Sequence, residues 1–467
     1  MRHSIDKAKR QLLKQLACLP LTAGVSMLAG NGRAEAMCAN ARSLVCVFLA
    51  GGADSFNMFV PGGSAYTDYR NSRNELAVPE ADLVAVSDAQ QGSFAFHRLL
   101  PSFEQLYREQ RMAVISNTGT LIQPTTKSDY LGTVALPQAL FAHNTQQKLW
   151  QTGAGVVNGN TAFGWGGAIS DHASNCNGNI AIAPSFSMGG SSDWLASANT
   201  NYISLNADVA VQRMFGYDNI SDWIPPQRLS QVGRHLNQLI AQAQDTGNPL
   251  LSRAIASSVG RASAATASLY TALQDNPLPQ MQYNGRNKLA KQLHLVARLI
   301  ASREQLGMQK QVFFVLMGGW DTHSDQLERL PQLMTQLNEA IGTFQQTIDG
   351  LNLAASVTSF TASDFGRTLS SNGNGTDHGW GGHNFVFGGA VDGGRVYGET
   401  PNYSSTNNPD DAGEDDGSFA GRIIPQISVN QYAATLARWM GVAESDLNQA
   451  LPDLQNFTET DLGFMQS

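Results

Sequence analysis

Apolar residues in this chain follow two rhythms. Some gather in short strand-like runs, LVCVFL (44–49), MAVIS (112–116), VFFVLMGGW (312–320) and the Ser/Thr-interspersed SVTSFTAS (356–363), most of which stop at Gly, Asn or Asp. Runs of this length, partly β-branched and ended by turn residues, predict strands buried on both faces. Elsewhere apolar residues recur every three or four positions, which predicts helices over 98–110, 138–151, 228–244, 288–306, 324–349 and 429–441. Shorter strands are expected at NFVFG (384–388) and RVYG (395–398), and a solvated loop at NNPDDAGEDDG (407–417). The alternation of the two patterns gives an α/β fold, with a parallel-sheet core, helices on both faces and a helical insertion over about 226–309.

The first 36 residues break this pattern. A basic stretch, AKRQLLK (8–14), precedes an apolar run, LACLPLTAGVSMLAG (16–30), and then Ala34-Glu35-Ala36. That order is expected of an export signal cleaved near Ala36, leaving residues 37–467 as a single domain in the periplasm or outside the cell. Lys9-Arg10 resembles a relaxed twin-arginine signal, so both that route and the general secretory one stay open. The apolar run is short for a membrane span, and no later stretch is longer.

Composition narrows the partners. The chain of 467 residues carries a net charge of −8 and 42% hydrophobic residues. Residues 1–36 hold six basic and two acidic side chains, so their removal moves the net charge to −12. An acidic surface without a Lys/Arg cluster argues against nucleic acid and anionic membranes, and for a small ligand or a cation. Three cysteines lie beyond the signal, so one disulfide at most forms within the chain, with Cys38 or Cys46 paired to Cys176.

Three acids each follow a strand-like run: Asp54, Asp321 and Asp364. Ligands of parallel α/β sheets bind outside the carboxyl ends of the strands, so these three can converge. Carboxylates held together need a cation or a proton. His323, His378 and His383 lie near Asp321 and Asp364 in the chain and complete an Asp/His set suited to divalent metals. Gly51-Gly52 and Gly318-Gly319 permit the sharp turns that bring backbone to a site, Asn57 adds an oxygen, and Arg367 is a candidate clamp for an anionic oxygen. Taken singly, GGADSFN and GGWDTH read equally as capped turns. No GxGxxG follows the first strand, which argues against a dinucleotide site.

The motifs GGADSFN, FAHNTQQKLWQTG, FGWGGAISD, GGWDTH, SDFGR, TDHG, FVFGGAVDGGRVYG and NQYAATLARWMG, in this order from about residue 43 onward, resemble exported bacterial proteins grouped as domain-of-unknown-function family 1501. That family is similar to the alkaline phosphatase and sulfatase superfamily. The resemblance implies an alkaline phosphatase-like fold with Asp54 as first-strand metal ligand, Asp321 and His323 as a pair on a second metal, Asp364 as the next acid, and His378 or His383 as the late histidine. It implies a divalent metal (zinc, manganese or calcium) and hydrolysis of a phosphate or sulfate ester, with a small anionic ester or a glycan as substrate. Thr145 or water is then the attacking group, and Arg367 or Asn57 steadies the anion. Two positions depart from the superfamily: Phe365 stands where a His usually follows the acid, and the approach to Thr152-Gly153 offers His143 and Thr145 rather than the usual nucleophile. The Cys-x-Pro-x-Arg motif of sulfatases is lacking. The alternative is a non-catalytic binding protein on the same fold.

Overall fold

The run Arg42–Leu49 becomes the central strand of a nine-stranded sheet, and its side chains divide by parity. Val45, Val47 and Leu49 enter one hydrophobic core, and Leu44, Cys46 and Phe48 enter the other. Successive strand side chains point to opposite faces, so a run apolar at every position requires cover on both. A computed structural model provides this view, and it describes residues 38, 40–132, 134–156, 163–178, 182–208, 211, 226–278, 281–413 and 418–466. The expected export signal lies outside the described residues. Residues 41–467 form one compact unit.

Twelve strands are described: β1 (Arg42–Leu49), β2 (Phe59–Pro61), β3 (Leu83–Asp88), β4 (Gly92–His97), β5 (Met112–Gly119), β6 (Ser185–Ser187), β7 (Ile203–Ser204), β8 (Lys310–Met317), β9 (Val357–Ser363), β10 (Gly382–Gly388), β11 (Arg395–Tyr397) and β12 (Ile427–Ser428). The large sheet runs β11-β5-β10-β9-β1-β8-β6-β7, with β12 also on β5. Its pairings are parallel except those of β10, which runs against both β9 and β5. The sheet is therefore mostly parallel with one reversed strand. A separate antiparallel sheet, β2-β4-β3, has no counterpart in the sequence reading.

Helices cover both faces. On one, the helix Gln326–Gly350 turns Leu330, Met334, Leu337, Ile341, Phe344 and Ile348 inward at alternating spacings of four and three, beside the helices Lys288–Ala301 and Pro101–Arg108. On the other lie Trp165–Ser174 and Val429–Met440. The latter opens on a capping box of Ser428 and Gln431 and ends at Gly441 in the left-handed region. In the expected insertion, Pro226–Ala243 packs along Leu250–Asp275, while Lys288–Ala301 packs on β8.

The expected solvated loop at 407–417 is partly buried instead. Asp411 is buried, and its carboxylate accepts backbone N–H groups from Ala420 at 3.2 Å and Arg422 at 2.9 Å. Residues 414–417 lie outside the described residues. Among the described residues, no helix is long and apolar enough to cross a membrane.

Candidate metal centre

β1 lies between β8 and β9, parallel to both, with Leu49 in register with Met317 and with Ser363. Three strands thus end level, and Asp321 and Asp364, just beyond two of them, both meet His143. Gly51 seals the junction at φ +121°, where an added Cβ would stand 2.4 Å from the Asp321 nitrogen. Its N–H donates to Asp364 Oδ1 at 3.2 Å and its carbonyl accepts from Arg367 Nη1 at 3.4 Å.

The side chains above these ends are two acids and three histidines from separate parts of the chain. His143 begins the helix His143–Thr152, and Asp321 and His323 follow β8. Asp377 and His378 sit in the glycine-rich loop between β9 and β10. One nitrogen of His143, one oxygen of Asp321 and one nitrogen of His378 all lie within 4.8 Å of one another. Asp321 Oδ1 is 3.2 Å from His323 Nε2 and 3.5 Å from His378 Nε2, while its Oδ2 is 3.5 Å from His143 Nε2.

The contacts of Nδ1 favour one tautomer in each ring. His143 Nδ1 meets Asp364 Oδ2 at 2.6 Å, His323 Nδ1 meets Asp377 Oδ1 at 2.9 Å, and His378 Nδ1 meets the Phe141 carbonyl at 2.5 Å. A carboxylate or carbonyl oxygen only accepts, so each Nδ1 carries a proton, and a ring holding that one proton leaves Nε2 bare for a metal. The Nε2 atoms of His323 and His378 face each other at 2.8 Å, and His143 Nε2 is buried without a hydrogen-bond partner. In that tautomer the Nε2 lone pairs gather around the Asp321 carboxylate, an arrangement that a proton or a cation makes favourable. The residues present fit a divalent metal: imidazoles with the second nitrogen tied to carboxylate or carbonyl are the arrangement metal-binding histidines adopt.

Electrostatics separates the members. The hydrogen bond to Asp364 raises the His143 pKa, against burial and with help from the charges of Asp364 and Asp321. Burial lowers that of His378 and outweighs its bond to Phe141. Burial alone would raise the Asp321 pKa, but the Arg367 hydrogen bond and the charges of Arg367, His323 and His143 hold it below the ordinary value. Arg367 is fully buried, with Nη1 on Asp321 Oδ1 at 2.9 Å, Nε on Thr376 Oγ1 at 3.1 Å and Nη2 on the Thr376 carbonyl. Phe365 lies against His143 and His378, ring centroids 4.8 and 4.6 Å away, and walls one side. Asp321 and His323, with side chains 45% and 42% exposed, mark the side open to solvent.

A family described as "Protein of unknown function (DUF1501)" matches residues 41–412. The chain belongs to the DUF1501 family. No curated protein sequence matches it. Among solved structures, this DUF1501 chain is similar to the PsFucS1 sulfatase from Pseudoalteromonas sp., at 9% identity and TM-score 0.36 over 96% of this chain and 78% of the other. It is also similar to Ps i-CgsB in complex with k-i-k-neocarrahexaose, at 8% identity and TM-score 0.36 over 89% and 77%. A mutant of the alkaline phosphatase PafA matches at 9% identity and TM-score 0.25 over 70% and 64%. The chemistry of the centre is read from its own atoms.

Of the residues singled out from sequence, Asp321, His323 and His378 meet in this DUF1501 centre, with Asp364 behind His143 and Arg367 behind Asp321. Asp54 is elsewhere: its buried carboxylate is paired with the buried Arg73 through Oδ2. Asn57 accepts from Arg73 and from the Tyr69 hydroxyl. His383 is enclosed on β10 by Phe56 and Phe59, with Nε2 3.1 Å from the Tyr403 hydroxyl, and burial depresses its pKa to about 3. Thr145 follows His143 by two helical positions, a different face from that of His143 and Gln147, which both reach Asp364. His143 and Asp377 were not among the candidate ligands. Their signals were present in FAHNTQQ, a histidine opening a helix ahead of the sheet residues, and in the Asp-His step of TDHG.

Proposed function

We propose that this chain is an exported, metal-dependent hydrolase of phosphate or sulfate esters, with one divalent cation held by Nε2 of His143, His323 and His378 and by the Asp321 carboxylate. The observation that carries the reading is the convergence of those three bare nitrogens on one carboxylate. Three imidazoles and one carboxylate are the donors zinc favours, whereas calcium takes oxygen ligands, so zinc is the ion we assign. Such an ion supplies charge neutralisation and polarisation of an ester oxygen.

The protein's own groups do the rest. Asp364, Asp377 and the Phe141 carbonyl fix the three tautomers, and Arg367 orients Asp321 while lowering its basicity. Phe365 shields one side of the cluster from water, leaving the Asp321–His323 side for substrate. Thr145 lies off the face that meets Asp364, so water is the attacking group in this reading. Cys38 and Cys176 are each disulfide-bonded, which favours an oxidising compartment and supports export of this acidic chain.

Zinc titration of the mature protein against a chromogenic chelator tests the centre. Replacement of His143 and His378 together by Ala is expected to weaken zinc binding at least about a hundredfold; an unchanged affinity would sink the assignment. A second reading, a metal-binding protein without turnover, is favoured by Phe365 at the position after Asp364 and by Thr145 facing away. Aryl phosphate and aryl sulfate assays on zinc-loaded protein separate the two, since bound zinc without turnover supports the second.

A further inference from the structure

We infer that Gln326 and Thr376 are positioning residues that tie Asp321 to a buried ion pair outside the metal cluster. The inference rests on the metal reading above and adds how the protein sets that centre's geometry. Arg73 and Asp54, both fully buried, form the ion pair, and Arg73 is fixed further by Asn57 Oδ1 at 2.7 Å and the Thr368 carbonyl at 2.8 Å. Gln326 Nε2 donates to Asp54 Oδ2 at 2.5 Å, while Gln326 Oε1 accepts from Thr376 Oγ1 at 2.6 Å and Thr322 Oγ1 at 3.0 Å. A flipped amide would set its oxygen against the Asp54 carboxylate, so the amide has one orientation.

Thr376 gives its hydroxyl proton to Gln326, which leaves its lone pairs for Arg367 Nε at 3.1 Å. The Thr376 carbonyl takes Arg367 Nη2 as well. One residue thereby grips the guanidinium at two points and aims Nη1 at Asp321 Oδ1. Every side chain from Arg73 to Arg367 in this chain of bonds is buried, so no water competes for a link. The orientation of a partly exposed ligand is thus determined by a cation and an anion that never meet the metal.

Zinc affinity of the full mature chain is measured for Gln326→Leu, Thr376→Val, the double variant and Thr376→Ser, with urea unfolding of the zinc-free forms in parallel. Each of the first two is expected to weaken zinc binding about tenfold. The double variant should lose no more than the worse single, because both break one chain of bonds, and Thr376→Ser, which keeps the hydroxyl, should bind as wild type does. A folded Thr376→Val protein within threefold of wild-type affinity overturns the inference, as do independent, multiplying losses in the double variant. If Gln326→Leu fails to fold, Thr376→Val and Thr376→Ser decide the question alone. Wild-type protein that binds no zinc would instead remove the metal reading on which the inference stands.

Discussion

Two histidines of the same chain have opposite fates, set by what lies around each ring. His143 sits against two carboxylates and gains basicity, whereas His383 is enclosed by aromatic rings and its pKa falls to about 3. Below the ordinary imidazole value of about 6.5 the unfolded chain binds a proton at His383 and the native one does not, so stability falls as pH drops from there toward 3. His383→Gln is therefore expected to flatten the dependence of unfolding free energy on pH by up to about 1.4 kcal/mol per unit in that window. Urea titrations at pH 4, 5 and 6 check it; parallel slopes for variant and wild type would refute the enclosure argument. In the sequence, His383 and His378 are equivalent members of one glycine-rich stretch. Which one reaches the cluster depends on β10 turning back antiparallel, a fact of tertiary pairing that no local pattern carries.

At the scale of elements, the level ends of β1, β8 and β9 do the placing, and Gly51 is where they touch. Gly51→Ala adds a Cβ into the Asp321 backbone at a positive φ and should cost more than about 1 kcal/mol of stability. It should also weaken zinc binding, since Asp321 must move; a variant with unchanged urea midpoint and zinc affinity would show that the junction has slack. β1 was legible as an unbroken apolar run, β8 as an apolar run from Val312 and β9 as a β-branched stretch of Val and Thr, and the helix Val429–Met440 as periodicity with a cap at each end. The helix expected over 138–151 starts only at His143, because Ala139 and Phe141 take left-handed backbone angles, φ 45° and 71°. That turn presents the Phe141 carbonyl to His378, and neither residue type announces such a conformation. The small sheet β2-β4-β3 was missed for a related reason: its strands are short and, in β3, half exposed, so their apolar runs are weak.

For the whole molecule, the proposed zinc binding would be linked to folding by mass action. At free zinc a hundred times the dissociation constant, the native state gains about 2.7 kcal/mol. The thermal midpoint should rise accordingly, and the rise should vanish in the variant lacking His143 and His378; an equal rise in that variant would place zinc elsewhere on the chain. Chelation should return the midpoint to its metal-free value without collapsing the fold. Asp54 explains why. Its counter-ion is Arg73, a guanidinium bonded into the chain and closed off from solvent, whereas the ion proposed for the outer cluster can leave. With the proposed ion bound, the protein would carry one cation it cannot lose beside one it can exchange, and emptying the exchangeable position would leave the frame charged as before and ready to be refilled.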